Sequence, residues 1–370
     1  MLLYHQYNYY FHETKSFVPI CKVVIMVYLG AQTKGCTLMP GQLPSISVIM
    51  PLYNAADYLK ETLHSILNQT FQDFELIIVD DASTDDSQAI VESFGDPRIL
   101  LLRNDTNCGQ VFSLNRALSI ARANYVAQHD ADDISFPTRF EKQWHYLQTH
   151  PEIAMVGAWS QFNILDTGSQ YVRKVPTAPS GIDFALCLYN CFSGSNIMYR
   201  KSVAQSIGGH SRVNSQSDVN HDYYFYILMA ACSPLAIIPE VLGQVNIHSD
   251  SYSQLYLSGR TEMLGATNVK INSIQLERLL GHKIPMPAAQ FLSLYSFNSP
   301  SWEALKAGSK VYVALFQAIR RRYPDEPFYS LFYAMMMNLI LILTTRFIKP
   351  HIPVRVYQSW KYSLAGLLKT

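Results

Sequence analysis

An α/β fold on a mostly parallel central sheet, followed by a mainly helical segment, is what the sequence predicts from Ser45 onward. Two observations carry that expectation. Short apolar runs of strand length alternate with amphipathic stretches, the pattern of βαβ units. Acidic clusters recur where the apolar runs end, which is where open α/β sheets bind ligands.

The elements follow in order. Ile46 to Met50 predicts a buried first strand, ending in a Pro51-Leu52-Tyr53-Asn54 turn. Asp57 is placed to cap a helix on which Leu59, Leu63, Ile66 and Leu67 recur at helical spacing. Glu75 to Val79 is a second strand running into Asp80-Asp81, and Ser83-Thr84-Asp85-Asp86 then opens a helix with capping residues and acids near its positive end. Ile99 to Leu102 is a third strand. Leu114, Ala117, Leu118 and Ala121 form the stripe of the next helix, and Tyr125 to Gln128 is a fourth strand ending in His129-Asp130-Ala131-Asp132-Asp133. Pro137, at a first helical position, starts a helix over 139–148.

The chain of 370 residues exceeds the ~250 at which single cores stop growing, so more than one unit is expected. The boundaries fall at an N-terminal extension over 1–44, a main domain over 45–253 and a C-terminal helical region over 254–370. A hydrophobic content of 49% against 15% charged residues fills a core and excludes a disordered chain. The net charge of +1 excludes a polyanion-binding surface over the whole chain, so nucleic acid is not an expected partner. Six cysteines (Cys21, Cys36, Cys108, Cys187, Cys191 and Cys232) contain no CxxC pair, which fits reduced thiols in the cytoplasm. Residues 18–31 are apolar apart from Lys22 but too few to cross a bilayer.

Asp130, Asp132 and Asp133 place three carboxylates in four residues. Their mutual repulsion is best offset by an oxygen-seeking divalent cation, Mg2+ or Mn2+, which substrate phosphates and water would complete. The plain alternative is a solvated acidic turn that caps the helix after it. Asp80-Asp81 supplies a second acidic site on the same rim, suited to a base or ribose edge, with helix capping as its plain alternative. Tyr53 and Asn54 face that rim, and the tyrosine ring is placed to stack on a nucleobase.

The run Ser47 to Asn54, then Asn68-Gln69-Thr70-Phe71, Val79-Asp80-Asp81-Ala82-Ser83-Thr84-Asp85, Asn107-Cys108-Gly109 and Asp130-Ala131-Asp132-Asp133 with Pro137 resembles the family 2 glycosyltransferases of the GT-A fold. Five motifs in order over about ninety residues make the resemblance specific. It implies an inverting transferase that uses a nucleotide-diphosphate sugar, UDP-linked by preference, with a glycan or lipid-linked acceptor in cell-surface polysaccharide synthesis.

By position, the resemblance puts Pro51, Tyr53, Asn54 and Asp81 on the nucleotide, Asp130 on ribose and metal, and Asp132 directly on the metal. The base position falls on Asp222, after Gly208-Gly209 and within Asn220-His221-Asp222-Tyr223-Tyr224. The family pattern is broken at His221, Leu228 and Asn246, where an acid and two arginines are usual, whereas His248 and Ser253 are retained. His248 is expected on the diphosphate or metal, its plain alternative being a structural hydrogen bond. For Asp222 that alternative is an acid drawn to a helix N-terminus.

From Trp302 to the C-terminus ten Lys or Arg stand against Glu303, Asp325 and Glu326. The uncharged run over 328–345 has eighteen residues, marginal for a span, so peripheral contact with the cytoplasmic face of a membrane is expected. Two rival readings stand beside this one. A nucleotidyltransferase would carry a glycine-rich phosphate loop after strand one, and the Pro51 to Ala56 segment has no glycine. A non-catalytic nucleotide-sugar-binding protein would retain the fold while losing the base.

Overall fold

The computed structural model describes residues 43–213, 218–249, 251, 261–293 and 301–327, all within one compact unit that begins at Leu38. The expectations for 1–42, for Tyr252 and Ser253 and for the 328–345 run lie outside the described residues.

The chain opens as β1 (Ile46–Leu52), α1 (Ala56–Leu67), β2 (Phe74–Asp80), α2 (Ser87–Ser93), β3 (Ile99–Arg103), α3 (Gln110–Ile120) and β4 (Tyr125–Gln128). Strands β1 to β4 are parallel neighbours in the order β3-β2-β1-β4. Residues on β1 alternate between two cores. Ile46, Val48, Met50 and Leu52 pack with α1, whereas Ile49 packs with Leu114, Ala117 and Leu118 of α3, the period of two required of a strand covered on both faces.

The rest of the sheet is more mixed than expected. It is built from β5 (Ile134–Ser135), β6 (Met155–Ile164), β7 (Ser169–Arg173), β8 (Ile197–Arg200) and β9 (Leu235–Ile247). β8 runs antiparallel to both β4 and β6, β9 parallel to β6, and β5 and β7 antiparallel on β9 and β6. Apolar runs do not encode strand direction, which here depends on pairings between residues such as Gln128 and Ile197 far apart in the chain.

Three local expectations are corrected. β1 continues through Pro51 to Leu52, because β4 leaves β1 after the His129 N–H donates to Ile49 O, so the proline nitrogen falls where no ladder bond is needed. Asp57 is not the α1 cap. The N-cap is Ala55, and the amides of Ala55 and Ala56 donate instead to Ser87 Oγ and Asp85 Oδ2 at 3.0 Å each, from the next βα loop. Pro137 precedes the N-cap Thr138 of α4 (Arg139–Thr149) rather than occupying its first turn.

The remaining helices are α5 (Pro179–Leu186), α6 (Lys201–Ser206), α7 (His221–Cys232), α8 (Thr261–Leu280), α9 (Met286–Leu292) and α10 (Trp302–Arg322). The C-terminal segment is helical where it is described. It is not detached, since Phe184, Cys187 and Leu188 share a core with Leu276, Phe291, Leu315 and Ile319. Buried Asp183 fastens the contact, accepting from Arg278 at 2.6 Å and from the Tyr323 hydroxyl at 2.9 Å. Among the described residues no helix is long and apolar enough to cross a membrane.

Candidate active site

Two groups of predicted residues stand at the carboxyl ends of β1, β2 and β4. The first follows β1 and β2. Tyr53 is half exposed and follows Leu52, whose carbonyl accepts from the Asp81 amide at 2.8 Å. Asn54 takes a left-handed backbone (φ +47°), which its short polar side chain tolerates. Its Oδ1 accepts from Thr84 N at 2.8 Å and its amide donates to Ser83 Oγ at 3.0 Å, so Asn54 ties the first βα loop to the second.

Asp81 is buried. One of its oxygens accepts from Asn104 Nδ2 at 2.6 Å and Cys108 N at 2.9 Å, and the other from Gly109 N at 2.8 Å. Three donors on one carboxylate fix the Asn107-Cys108-Gly109 motif against the strand ends. Gly109 is needed there because its φ is +90° and a Cβ would fall 2.3 Å from Asp218 Oδ2.

The second group is the acidic cluster after β4. Asp130 Oδ1 accepts from Gln110 Nε2 at 3.2 Å, and Oδ2 from Ser195 Oγ at 3.0 Å. Burial first, and then the Asp132 and Asp222 carboxylates, push the Asp130 carboxyl up to about 7 against the Ser195 bond. Asp133 is pushed well above the ordinary range by burial, then by Asp132 and Asp130. Asp132 is the accessible member, with 27% of its side chain exposed. Its Oδ2 lies 3.0 Å from His248 Nε2, and the His248 ring stacks on Tyr58 with centroids 4.4 Å apart.

Behind the cluster lies a neutral imidazole and a buried cation. His129 Nδ1 donates to Asp130 O at 2.7 Å, which leaves Nε2 to accept from Ser135 Oγ at 2.9 Å. Burial above all, with the Arg139 charge second, drives that ring down to about 3, so it stays neutral. Arg139 is fully buried and donates to Gln143 Oε1, Ser135 Oγ, Gln128 O and Ile197 O, all neutral oxygens. Its charge partly offsets those of Asp130 and Asp133 at longer range.

The chemistry of the donor set fits a divalent cation. Three carboxylates are held together although burial and repulsion raise two of them, and the third, Asp132, is partly accessible beside a histidine. Among the described residues no group of three His, Cys, Asp or Glu side chains is placed to hold a metal ion by itself. A magnesium-like ion needs fewer protein ligands, because it keeps waters and takes oxygens from substrate phosphates.

Asp222 lies in the first turn of α7, after Asn220 in a left-handed conformation. Its Oδ2 accepts from Asn190 Nδ2 at 3.0 Å. The fold therefore brings Asp222 within electrostatic reach of Asp130, while Tyr53, Asn54 and Asp81 form their own group on the neighbouring loops. The departures noted in the sequence have structural uses. Asn246 donates its amide to Asp133 Oδ1 at 2.9 Å and its Nδ2 to Asp132 O at 2.6 Å. His221 is buried against His210, with ring centroids 5.8 Å apart.

Sequence reasoning missed Gln110, Arg139, Asn190 and Ser195, each of which touches or faces a cluster carboxylate. None lies in an acidic run. Gly194 beside Ser195 makes room for the Asp130 and Gln128 side chains, since a Cβ there would sit 3.1 Å from Asp130 Oδ2 and 3.2 Å from Gln128 Nε2.

Comparison with known proteins supplies a family and a fold. The family model described as glycosyl transferase family 2 matches residues 47–208. An uncharacterized glycosyltransferase of Haemophilus influenzae is 31% identical over 224 residues, covering 58% of this chain and 68% of the relative. The UDP-Glc:alpha-D-GlcNAc-diphosphoundecaprenol beta-1,3-glucosyltransferase WfaP of Escherichia coli is 38% identical over 104 residues, 28% of this chain and 41% of that protein. The crystal structure of S. aureus TarS 1-349 in complex with UDP-GlcNAc covers 82% of this chain and 90% of its own, at 18% identity and a TM-score of 0.50, which is a likeness of fold.

Proposed function

The chain belongs to the family 2 glycosyltransferases, and from that premise we propose that it transfers a sugar from a UDP-linked donor, with inversion, to a hydroxyl acceptor. The observation that carries this reading is the approach of α7, which holds Asp222 in its first turn, to the acidic cluster that ends β4: a Cβ at Gly194 would sit 3.1 Å from Asp130 Oδ2 and 3.9 Å from the hydroxyl of Tyr226, one turn after Asp222. A base and an acidic metal cradle side by side are what direct displacement at an anomeric carbon needs.

In this scheme Pro51, near the end of β1, and Tyr53, Asn54 and Asp81 bind the nucleoside. Asp132, with Asp130 and beside His248, would hold Mg2+ or Mn2+, whose charge would offset that of the departing diphosphate. Asp222 takes the proton of the acceptor hydroxyl as its oxygen attacks the anomeric carbon, and the bond to the diphosphate oxygen breaks on the opposite side. No covalent sugar intermediate forms, so the configuration inverts.

The acceptor class we propose is a glycan or lipid-linked glycan of cell-surface polysaccharide, following what the WfaP name says of that relative. We place the reaction at the cytoplasmic membrane face. Lys306, Lys310 and Arg321 are exposed on α10 and suited to anionic headgroups.

The test is a screen of UDP, GDP, dTDP and CDP sugars, with and without manganese, that reads both melting temperature and released nucleoside diphosphate. A manganese-dependent shift with UDP sugars and release of UDP is the expected result. A melting shift without release would make the protein a binding module, and indifference to every donor and ion would overturn the scheme. Flotation with anionic but not zwitterionic vesicles checks the membrane placement.

A further inference from the structure

We propose that Asn190 is the positioning residue for the base, holding one oxygen of Asp222 so that the other faces the acceptor; this rests on the assignment of Asp222 above. The argument begins with the amide itself. Asn190 Oδ1 accepts from Phe192 N at 3.0 Å, which settles which end of the side chain is oxygen. The NH2 end is therefore the one that donates to Asp222 Oδ2 at 3.0 Å.

Phe192 in turn has no freedom to move. Its buried ring lies against Tyr226 at 5.1 Å between centroids and under Gly157, where a Cβ would fall 2.7 Å from Phe192 Cδ1. Arg173 donates to Asn190 O from β7, and the Tyr223 hydroxyl donates to Leu186 O at 2.7 Å, fixing the start of the same segment to α7. Tyr226 stands one helical turn after Asp222. The segment from Asn190 to Phe192 thus meets α7 at two successive levels, one a ring contact and one a hydrogen bond to the base.

A carboxylate that accepts a fixed N–H is held in one orientation. Asp222 receives that N–H on Oδ2. The donated bond orients the carboxylate without placing a formal charge where the acceptor must enter.

Asn190→Asp separates the two roles of the side chain. It keeps an oxygen for the Phe192 amide but loses the donor, and two facing carboxylates would share a proton and deprive Asp222 of its basic form. The assay is UDP release from UDP-glucose and UDP-N-acetylglucosamine, with Asn190→Asp, Asn190→Ala, Asp222→Asn and the double variant Asn190→Asp/Asp222→Asn.

The expected outcome is a fall in kcat of roughly tenfold or more in Asn190→Asp, from a lost bond to a charged group, with the donor KM and melting temperature unchanged. The double variant should be no slower than Asp222→Asn alone, because a residue that acts through the base has nothing left to act on. Wild-type kcat in Asn190→Asp, or a further loss in the double variant, overturns the proposal. If Asn190→Ala fails to fold, Asn190→Asp decides alone. Wild-type kcat in Asp222→Asn is a different result, since it removes the base assignment itself.

Discussion

The β1 to β4 half and the half built from β6, α5, α7 and β9 contribute to the site in opposite ways. The first half presents its chemistry as contiguous clusters, Asp80-Asp81 and Asp130 to Asp133, because parallel strands end together on one rim and the following loops inherit it. The second half presents single residues that each take hold of one carboxylate. Ser195 holds Asp130, the Asn246 backbone amide holds Asp133 while its side chain donates to the Asp132 carbonyl, His248 meets Asp132 and Asn190 holds Asp222. A cluster of like charges is unstable alone, and the scattered donors of the second half are what make it tolerable.

If that division of labour is right, substitutions should grade by half. The largest effect is expected at Asp132, the partly accessible carboxylate of the acidic cluster. Asp132→Asn should lower UDP release by on the order of a thousandfold and abolish the manganese-dependent part of UDP binding, measured by calorimetry. Retained metal-dependent binding would break the comparison outright.

Asp222→Asn comes next. Turnover should fall on the order of a hundredfold or more while UDP and manganese bind as before, since general base catalysis contributes about that much. Loss of nucleotide binding together with turnover would place Asp222 in the cradle rather than opposite it.

Ser195→Ala should cost about tenfold in kcat/KM, because it removes one bond to a charged group and leaves the carboxylates in place. The Ser195 bond works against the upward pull on Asp130, so without it that carboxyl should rise further and manganese affinity at neutral pH should weaken. Unchanged affinity would mean that Gln110 alone secures the aspartate.

The smallest effect concerns acid stability. Burial holds His210 well below, and His221 below, the ordinary value of 6.5. Below about pH 6.5 the unfolded chain takes up protons that these buried rings refuse, so stability is present above that pH and is lost as pH falls. Each kcal/mol lost should appear as about 2–4 °C in melting temperature. A flat profile between pH 7 and pH 5 would show that these rings are not sealed from water.

The motifs that resembled a glycosyltransferase lie mostly in the first half, and the strands and helices they imply are present there. Tyr125 to Gln128 is β4, and Leu114, Ala117 and Leu118 are buried on α3. The caps were misplaced for a definite reason. The amides at the start of α1 are satisfied by Ser87 and Asp85, some thirty residues away, and local spacing cannot report a partner at that distance. The plain alternative for Asp81 also has substance, for its oxygens hold the Cys108-Gly109 loop.

By itself the sequence determined the fold class and the acidic rim, because each is written as a run of neighbouring residues whose periodicity and charge survive without tertiary context, whereas Asp222 as base was implied only by the family resemblance. Only the folded chain decided strand direction beyond β4, the neutral His129, and the selection of Ser195, Asn190 and Asn246 as partners. Those choices depend on distances between segments tens of residues apart, set by how two cores pack on the faces of one sheet.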